Sequence, residues 1–242
     1  MHTPSYVRFE EAIKRGFQER ALSILKAKER YFMKGELKKV YEYGKTNAAI
    51  LKYLIDLSID RDMIDVSENN NELIRKASEH GHKEVVELLL MQDDVDPSAK
   101  NNYAIRWASE SGHKELVELL LVRDDVDPSA CDNFAIRWAS ESGHKEVVEL
   151  LLAHDDVDPS AGDNAAIKWA SCYGRKEVVE LLLAHDDVDP SANDNEAIRE
   201  ASMNGYLEVV ELLIADPRVR EKGIPQNILD KMASQREGEI QE

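Results

Sequence analysis

Between residues 70 and 224 the hydrophobic positions of the chain follow a pattern that returns every 31 residues. One copy, at 132–162, reads DNFAIRWASESGHKEVVELLLAHDDVDPSAG. Its first half places Ile136, Ala139 and Ser140 at helical spacing, which predicts a short helix with one face against a neighbour. The small size of Ala139 and Ser140 favours a close approach of that neighbour. The second half, HKEVVELLLAH, predicts another helix.

Small and polar residues mark the ends of these two predicted helices. Asn133 is a favourable N-cap for the first helix, and Gly143 predicts a left-handed residue after its last turn. The second helix has apolar residues at 147, 148 and 150–152, a stripe broad enough for contacts on two sides. The segment DDVDPSA carries Asp, Pro and Ser in turn order, which predicts a loop or tight hairpin. Its apolar Val157 is expected to fold back onto the helices.

Several features keep the same 31-residue step, so the repeat does not depend on one motif. The step relates Trp107, Trp138, Trp169 and Glu200; the glycines at 81, 112, 143, 174 and 205; and DDVDPSA at 93–99, 124–130, 155–161 and 186–192. One helix–turn–helix unit of this size cannot bury its apolar face alone, whereas stacked copies can. The pattern therefore predicts an all-α solenoid in which identical interfaces recur.

The pattern resembles the ankyrin-repeat family, most specifically in the half GHKEVVELLL. The family's usual signature has a period of about 33 residues and the motif T-P-L-H. Here the period is 31 and residues 103–106 read YAIR, so we expect a shortened loop. The Thr–His hydrogen bond usual in the family cannot form, and Asn102 and Arg106 are candidates to replace it.

On this resemblance the chain comprises about seven helix–turn–helix repeats. Residues 69–224 hold the regular repeats. Residues 1–68 are expected to form two degenerate repeats, at 8–25 and 35–55, the first of which acts as a cap. Residues 225–242 are expected to form a C-terminal capping helix that starts near Pro225, followed by a frayed tail from residue 236.

The charge of the chain limits its partners. The net charge is −17, with +4 on residues 1–60 and −21 on residues 61–242, either as two electrostatic faces or as scatter in a cap segment. Such acidity argues against nucleic acid and anionic membranes as ligands. Two cysteines cannot form a disulfide framework, and we find no signal peptide or membrane-spanning run. We expect an intracellular, cytoplasmic monomer, with the nucleus as an alternative compartment.

The sequence offers no catalytic constellation. The motifs G-x-G-x-x-G, P-loop, H-E-x-x-H and G-x-S-x-G are all missing. Four histidines fall into two sets: His113 and His144 at the repeated turn, expected to bond local backbone, and His154 and His185 before Asp pairs, expected to form a solvated row. The DDVD loops lack the EF-hand order, so Asp127 is expected to cap a turn before Pro. No catalytic, cofactor-binding or metal-binding residue is predicted.

Positions at which the copies differ are the candidates for ligand contact. The ankyrin resemblance implies that the first helices and loop tips line a concave face that binds partner proteins. The predicted partner-binding residues on the first helices are Tyr103, Trp107, Glu110, Phe134, Trp138, Glu141, Trp169, Cys172, Tyr173 and Met203. The tryptophans fit either a packing ladder or exposed anchors, Cys172 is expected to be a small residue rather than a reactive thiol, and Tyr103 and Phe134 are expected to be dispensable for packing.

These observations predict a non-enzymatic protein–protein interaction scaffold whose partner carries a basic patch. Three alternatives stay open from the sequence. The first is an adaptor that recruits a substrate to another machine, such as a ubiquitin ligase. The second is a structural spacer without a partner. The third, of a different class, is a metal-dependent regulator or enzyme.

Overall fold

We describe the protein from a computed structural model, which defines residues 66–239 together with Ser23, Lys52 and Tyr53. Side chains are described up to residue 234. The degenerate repeats predicted at 8–25 and 35–55 lie, apart from those three residues, outside the described part of the chain. The regular repeats and the helices C-terminal to them lie within it.

Residues 66–239 form twelve helices, and this part of the chain contains no strand. The helices are α1 Glu68–Glu79, α2 Lys83–Leu89, α3 Ala99–Glu110, α4 Lys114–Leu121, α5 Ala130–Ser142, α6 Lys145–Leu152, α7 Ala161–Cys172, α8 Lys176–Leu183, α9 Ala192–Asn204, α10 Leu207–Ala215, α11 Pro217–Lys222 and α12 Gln226–Glu239. Up to α10, each repeat contributes an odd-numbered first helix and an even-numbered second helix. The predicted all-helical repeat is confirmed.

The chain divides into two compact units. The first comprises residues 1–108 and 118–126, and the second comprises 109–117 and 127–242. In the first unit, α1 packs against α2. In the second unit the first helices lie side by side, with α7 between α5 and α9, while α8 lies between α6 and α10. Each first helix there also packs on the second helix of its own repeat, so the second unit is a stack of helix pairs.

The buried residues of each pair follow the predicted pattern. Ile136, Ala139 and Ser140 of α5 are buried, as predicted, and Leu151 of α6 is completely buried. The flanking Leu150 and Leu152 are half-buried, consistent with the broad stripe. In the loops, Val157 is half-buried, and its equivalent Val188 is only 1% exposed. Burial at the same positions in successive repeats accounts for the repetition of identical residues.

Every first helix from α1 to α9 opens with three residues in the left-handed conformation, at 69–71, 100–102, 131–133, 162–164 and 193–195. In α5 the φ angles are 58°, 59° and 55° at Cys131, Asp132 and Asn133. The amide of Asn133 donates to the carbonyl of Ser129 at 2.7 Å, which closes the turn. Asn, Asp and Gly tolerate this conformation best, which explains why they dominate these segments.

The prediction that Asn133 is an N-cap is wrong. Asn133 is left-handed, and the N-cap position falls on Ser129, whose side chain makes no capping hydrogen bond. The Oδ1 atom of Asn133 instead accepts the backbone amide of Asp158 in the next loop at 2.8 Å. Asn71 and Asn164 make the same bond to Asp96 and Asp189. In these three repeats the asparagine therefore ties the start of the repeat to the loop at its end.

The Gly-His pair also joins successive repeats. Gly143 is left-handed at φ 86°, as predicted for a C-cap. The expectation that His144 bonds local backbone is wrong, because its Nε2 atom lies 2.9 Å from the carbonyl oxygen of Glu110 in the preceding repeat. Arg175, one repeat on, donates from Nε to the carbonyl of Glu141, also at 2.9 Å. The residue after glycine therefore reaches back across the repeat interface.

The loops and the C-terminal end follow simple capping rules. Asp127 Oδ1 accepts the amide of Ser129 at 2.8 Å, so the predicted turn before Pro is confirmed. After the last regular repeat, Asp216 caps α11 by accepting the amide of Arg218 at 2.9 Å. The Arg218 guanidinium donates to two carbonyls of the preceding repeat. Helix α12 begins directly after Pro225 and runs through Glu239, beyond the point where a frayed tail is predicted.

Candidate functional site

Three aromatic pairs lie one helical turn apart on or at the ends of first helices. In the first unit the rings of Tyr103 and Trp107 stack in parallel, with centroids 4.0 Å apart and an angle of 3°. In the second unit the pairs are Phe134–Trp138, with centroids 5.1 Å apart, and Trp169–Tyr173, with centroids 6.5 Å apart. Residues at i and i+4 share one side of a helix, so each pair forms one aromatic surface.

In the second unit this surface is open to solvent. Trp138 and Trp169 are each 37% exposed, Tyr173 is 43% exposed and Met203 is 70% exposed. They occupy equivalent or neighbouring repeat positions on α5, α7 and α9, or directly after α7 in the case of Tyr173, and these three helices lie side by side. We call these four side chains the first-helix face. The tryptophans are therefore neither a buried ladder nor free of packing, because each keeps more than half of its surface covered.

Tyr103 has a structural role that the sequence did not reveal. Its hydroxyl donates to Glu79 Oε2 at 2.8 Å in the preceding repeat, and the Arg75 guanidinium lies 5.1 Å from its ring centroid. Burial, followed by the bond to Glu79 and its charge, raises the pKa of Tyr103 to about 12. Burial alone would raise the pKa of Glu79, but hydrogen bonds from Lys76 and Tyr103 lower it. The expectation that Tyr103 is dispensable for packing is wrong.

In α1 and α3 an arginine side chain bonds to the left-handed turn at the start of the helix. Arg106 donates to the carbonyls of Asn101 and Lys100 at 2.8 and 2.9 Å, and its guanidinium lies 4.8 Å from the Trp107 ring centroid. Of the two residues proposed to replace the family's Thr–His bond, Arg106 thus fixes the turn. Arg75 makes the equivalent bonds to residues 69 and 70.

Acidic side chains flank the aromatic residues of the second unit. The charge of Glu141, followed by partial burial, raises the pKa of Tyr173. Burial and then the charge of Glu200 raise the pKa of Cys172, whose Sγ lies 3.7 Å from Glu200 Oε2. A raised pKa disfavours the thiolate, in agreement with an unreactive Cys172.

The second unit brings together most of the predicted residues, namely Glu110, Phe134, Trp138, Glu141, Trp169, Cys172, Tyr173 and Met203, while Tyr103 and Trp107 belong to the first unit. Sequence reasoning missed Lys168. Its Nζ lies 4.8 Å from the Trp169 ring centroid and 3.7 Å from a carboxylate oxygen of Glu196. The available signal was that Lys168 stands where the other copies have arginine.

Metal ligands and membrane-spanning helices are the other features that could mark a site. Within the described residues, no group of three or more side chains of the types His, Cys, Asp and Glu is placed so that it could hold a metal ion. None of the helices defined between residues 66 and 239 is both long enough and apolar enough to span a bilayer.

Comparison with protein-family models matches the chain to ankyrin repeats, in three overlapping copies at residues 77–163, 105–194 and 136–222. Together these copies span residues 77–222 of 242, more than half of the chain. The predicted count of about seven repeats is not confirmed by this match. No curated protein matches the chain. Ankyrin repeats are generally protein–protein interaction modules and are typically non-enzymatic. The chain belongs to the ankyrin-repeat family.

Proposed function

We propose that this protein is a non-enzymatic scaffold that binds a partner protein through the first-helix face. The observation that carries the proposal is the exposure of Trp138, Trp169, Tyr173 and Met203 on neighbouring helices. Large aromatic and methionine side chains are enriched in protein interfaces, and tryptophan and tyrosine supply many binding hot spots. Hydrogen bonds between successive repeats come from other side chains, such as His144 and Arg175.

The charge of the chain supports a partner with a basic patch. Residues 61–242 carry a net charge of −21; the charge of Glu141 acts on Tyr173, and Glu200 lies beside Cys172. Exposed charges are screened over about 8–10 Å at physiological ionic strength. They act mainly on the rate of association, whereas buried aromatic anchors control dissociation. Added salt should therefore slow binding of the partner more than it speeds release.

The proposal can be tested without knowing the natural partner. The full chain is used to select binders from a displayed library of random peptides, and affinities are measured for Tyr173→Ala/Met203→Ala. The matched control is Met91→Ala/Val122→Ala, which truncates two apolar residues of the first unit that are 74% and 80% exposed. We expect the first variant to lose affinity at least about tenfold, because hot-spot truncations commonly reach that size.

A loss of affinity indicates a lost binding contact only where the thermal midpoint of the variant stays close to that of the wild type. We expect both variants to melt close to the wild type, since Met91, Val122 and Met203 are at least 70% exposed and Tyr173 is 43% exposed. A loss of affinity in the Met91→Ala/Val122→Ala control, with full affinity in Tyr173→Ala/Met203→Ala, would move the binding surface away from the first helices and contradict the proposal.

A further inference from the structure

Trp169, Tyr173 and Glu141 combine two chemistries that recognise a positive charge. An aromatic ring attracts a cation through its face, and a carboxylate accepts charge-assisted hydrogen bonds from a guanidinium or ammonium group. We infer that these three residues form a subsite for an arginine or lysine side chain in an exposed segment of the partner protein. The inference rests on the proposed function, because it specifies the partner's chemistry at the same face.

The first unit contains an internal example of this recognition. Tyr103 donates its hydroxyl to Glu79, and Arg75 lies over the Tyr103 ring at 5.1 Å. Carboxylate, tyrosine hydroxyl, aromatic ring and guanidinium therefore come together within one chain. The protein itself supplies the cation at this position.

The second unit repeats the acceptor half of that arrangement. Glu141 occupies the repeat position of Glu79, two steps of 31 residues later. Both glutamates lie against the next repeat: Tyr103 donates to the Glu79 carboxylate, and Arg175, two residues after Tyr173, donates to the Glu141 carbonyl. The two tyrosines enter from different helix positions: Tyr103 lies near the start of α3, whereas Tyr173 directly follows α7. Tyr173 is left 43% exposed. An external cation can therefore reach both its ring and the neighbouring carboxylate.

Two of the chain's own cations, Lys168 and Arg175, lie beside this subsite, and each already has a partner. Lys168 lies over Trp169 and pairs with Glu196 at 3.7 Å. Arg175 donates from Nε to the backbone carbonyl of Glu141 at 2.9 Å, which joins two repeats. With these contacts in place, Tyr173 is still 43% exposed. Arginine suits the site better than lysine, since its planar group can stack on the ring while it binds a carboxylate in bidentate fashion.

Among the repeat positions of Glu141, Cys172 and Met203 in the second unit, only Glu141 supplies a carboxylate, so these three repeats hold the subsite once. At the position of Glu141, the following two repeats carry Cys172 and Met203. Cys172 has a raised pKa and stays a neutral thiol, and Met203 is apolar and exposed. A bound segment would therefore meet a negative charge at Glu141 and an apolar surface at Met203, which sets both its register and its direction.

The test uses the labelled full chain and a short blocked peptide with arginine between glycines. A matched control peptide carries citrulline in place of arginine, because citrulline keeps the shape of arginine and removes its charge. Binding is followed by NMR through the three tryptophan indole signals, with Trp107 of the first unit as an internal reference. We expect the Trp169 signal to shift saturably with the arginine peptide. Citrulline, or Glu141→Gln, should weaken binding about tenfold or more, as loss of a charge-assisted contact does.

The control variant is Glu146→Gln, which neutralises an exposed carboxylate at the start of α6. It should bind the arginine peptide as the wild type does. Equal affinity for arginine and citrulline, or an unchanged affinity in Glu141→Gln, would overturn the inference. Peptides selected on the chain separate the two proposals. Neutral or acidic peptides that still depend on Tyr173 overturn the subsite alone, whereas basic peptides that ignore the first-helix face overturn the proposed function.

Discussion

Replacing Gly174 with alanine tests how the repeats are joined. Gly174 has φ +68°, and an added Cβ would lie 2.3 Å from Cδ1 and 2.7 Å from Cγ of Tyr206 in the next repeat. Gly205 occupies the same repeat position at φ +81°, and among the described residues nothing lies within 4 Å of its added Cβ. The two glycines therefore differ in steric overlap while sharing the same backbone conformation.

The expected magnitudes follow from this comparison. A left-handed alanine costs about 1–2 kcal/mol, and the smaller entropy of its unfolded chain returns about 0.4–1 kcal/mol. Both terms apply equally to Gly174→Ala and Gly205→Ala. The overlap with Tyr206 adds about 1–3 kcal/mol to Gly174→Ala alone, the usual cost of overpacking. The free energy of unfolding should fall by that much more in Gly174→Ala than in Gly205→Ala.

Urea unfolding followed by circular dichroism measures both costs, and hydrogen exchange over residues 161–215 locates the loss. Each glycine variant is also made with Tyr206→Ala, which removes the ring. In that background we expect Gly174→Ala to cost about as much as Gly205→Ala. Equal costs when Tyr206 is present, or an excess cost of Gly174→Ala that persists without the ring, would refute the reasoning.

Three further substitutions probe the core, the left-handed turn and the C-terminal cap. Leu151→Ala should cost about 2–5 kcal/mol of unfolding free energy because Leu151 is fully buried; an equal cost for the half-buried Leu150 would contradict this. Cys131→Gly should raise the thermal midpoint, because relief of a φ of 58° outweighs about 0.5–1 kcal/mol of glycine entropy; a lower midpoint would contradict it. Hydrogen bonds from Arg218 lower the pKa of Asp216 below 3.8. The ionised Asp216 carboxylate therefore stabilises the fold above pH 3.8, and this stabilisation is lost as the pH falls through the lower folded-state pKa. The unfolding free energies of wild type and Asp216→Asn, measured in urea, should therefore converge below pH 3.8; a constant difference would contradict this.

Helix positions and their buried residues could be predicted because each repeat independently reports the same spacing. The turn before each first helix could not. Asparagine is favoured both as an N-cap and in the left-handed conformation, so Asn133 fitted either role. Its actual bond joins Asn133 to Asp158, 25 residues away, and follows from the folding of the whole repeat rather than from local sequence.

The site shows the same limit. The position of each aromatic residue on a first helix was predictable, but exposure depends on neighbouring repeats. Tyr103 and Tyr173 are both tyrosines close to a glutamate, yet one bonds within the chain and the other remains 43% exposed. The bond from His144 to Glu110 likewise spans 34 residues, so only the stacked arrangement reveals it.

The central claim, that the first-helix face binds the partner, is tested most directly by oxidative footprinting of the chain with a selected binder. Met203 lies on this face and is 70% exposed, while Met91 lies in the first unit, directly beyond Leu90 after α2, and is 74% exposed. The two methionines should therefore oxidise at similar rates in the free protein. We predict that the binder slows oxidation of Met203, together with Trp138 and Trp169, and leaves Met91 unchanged. Protection of Met91 with unchanged oxidation of Met203 would contradict the claim.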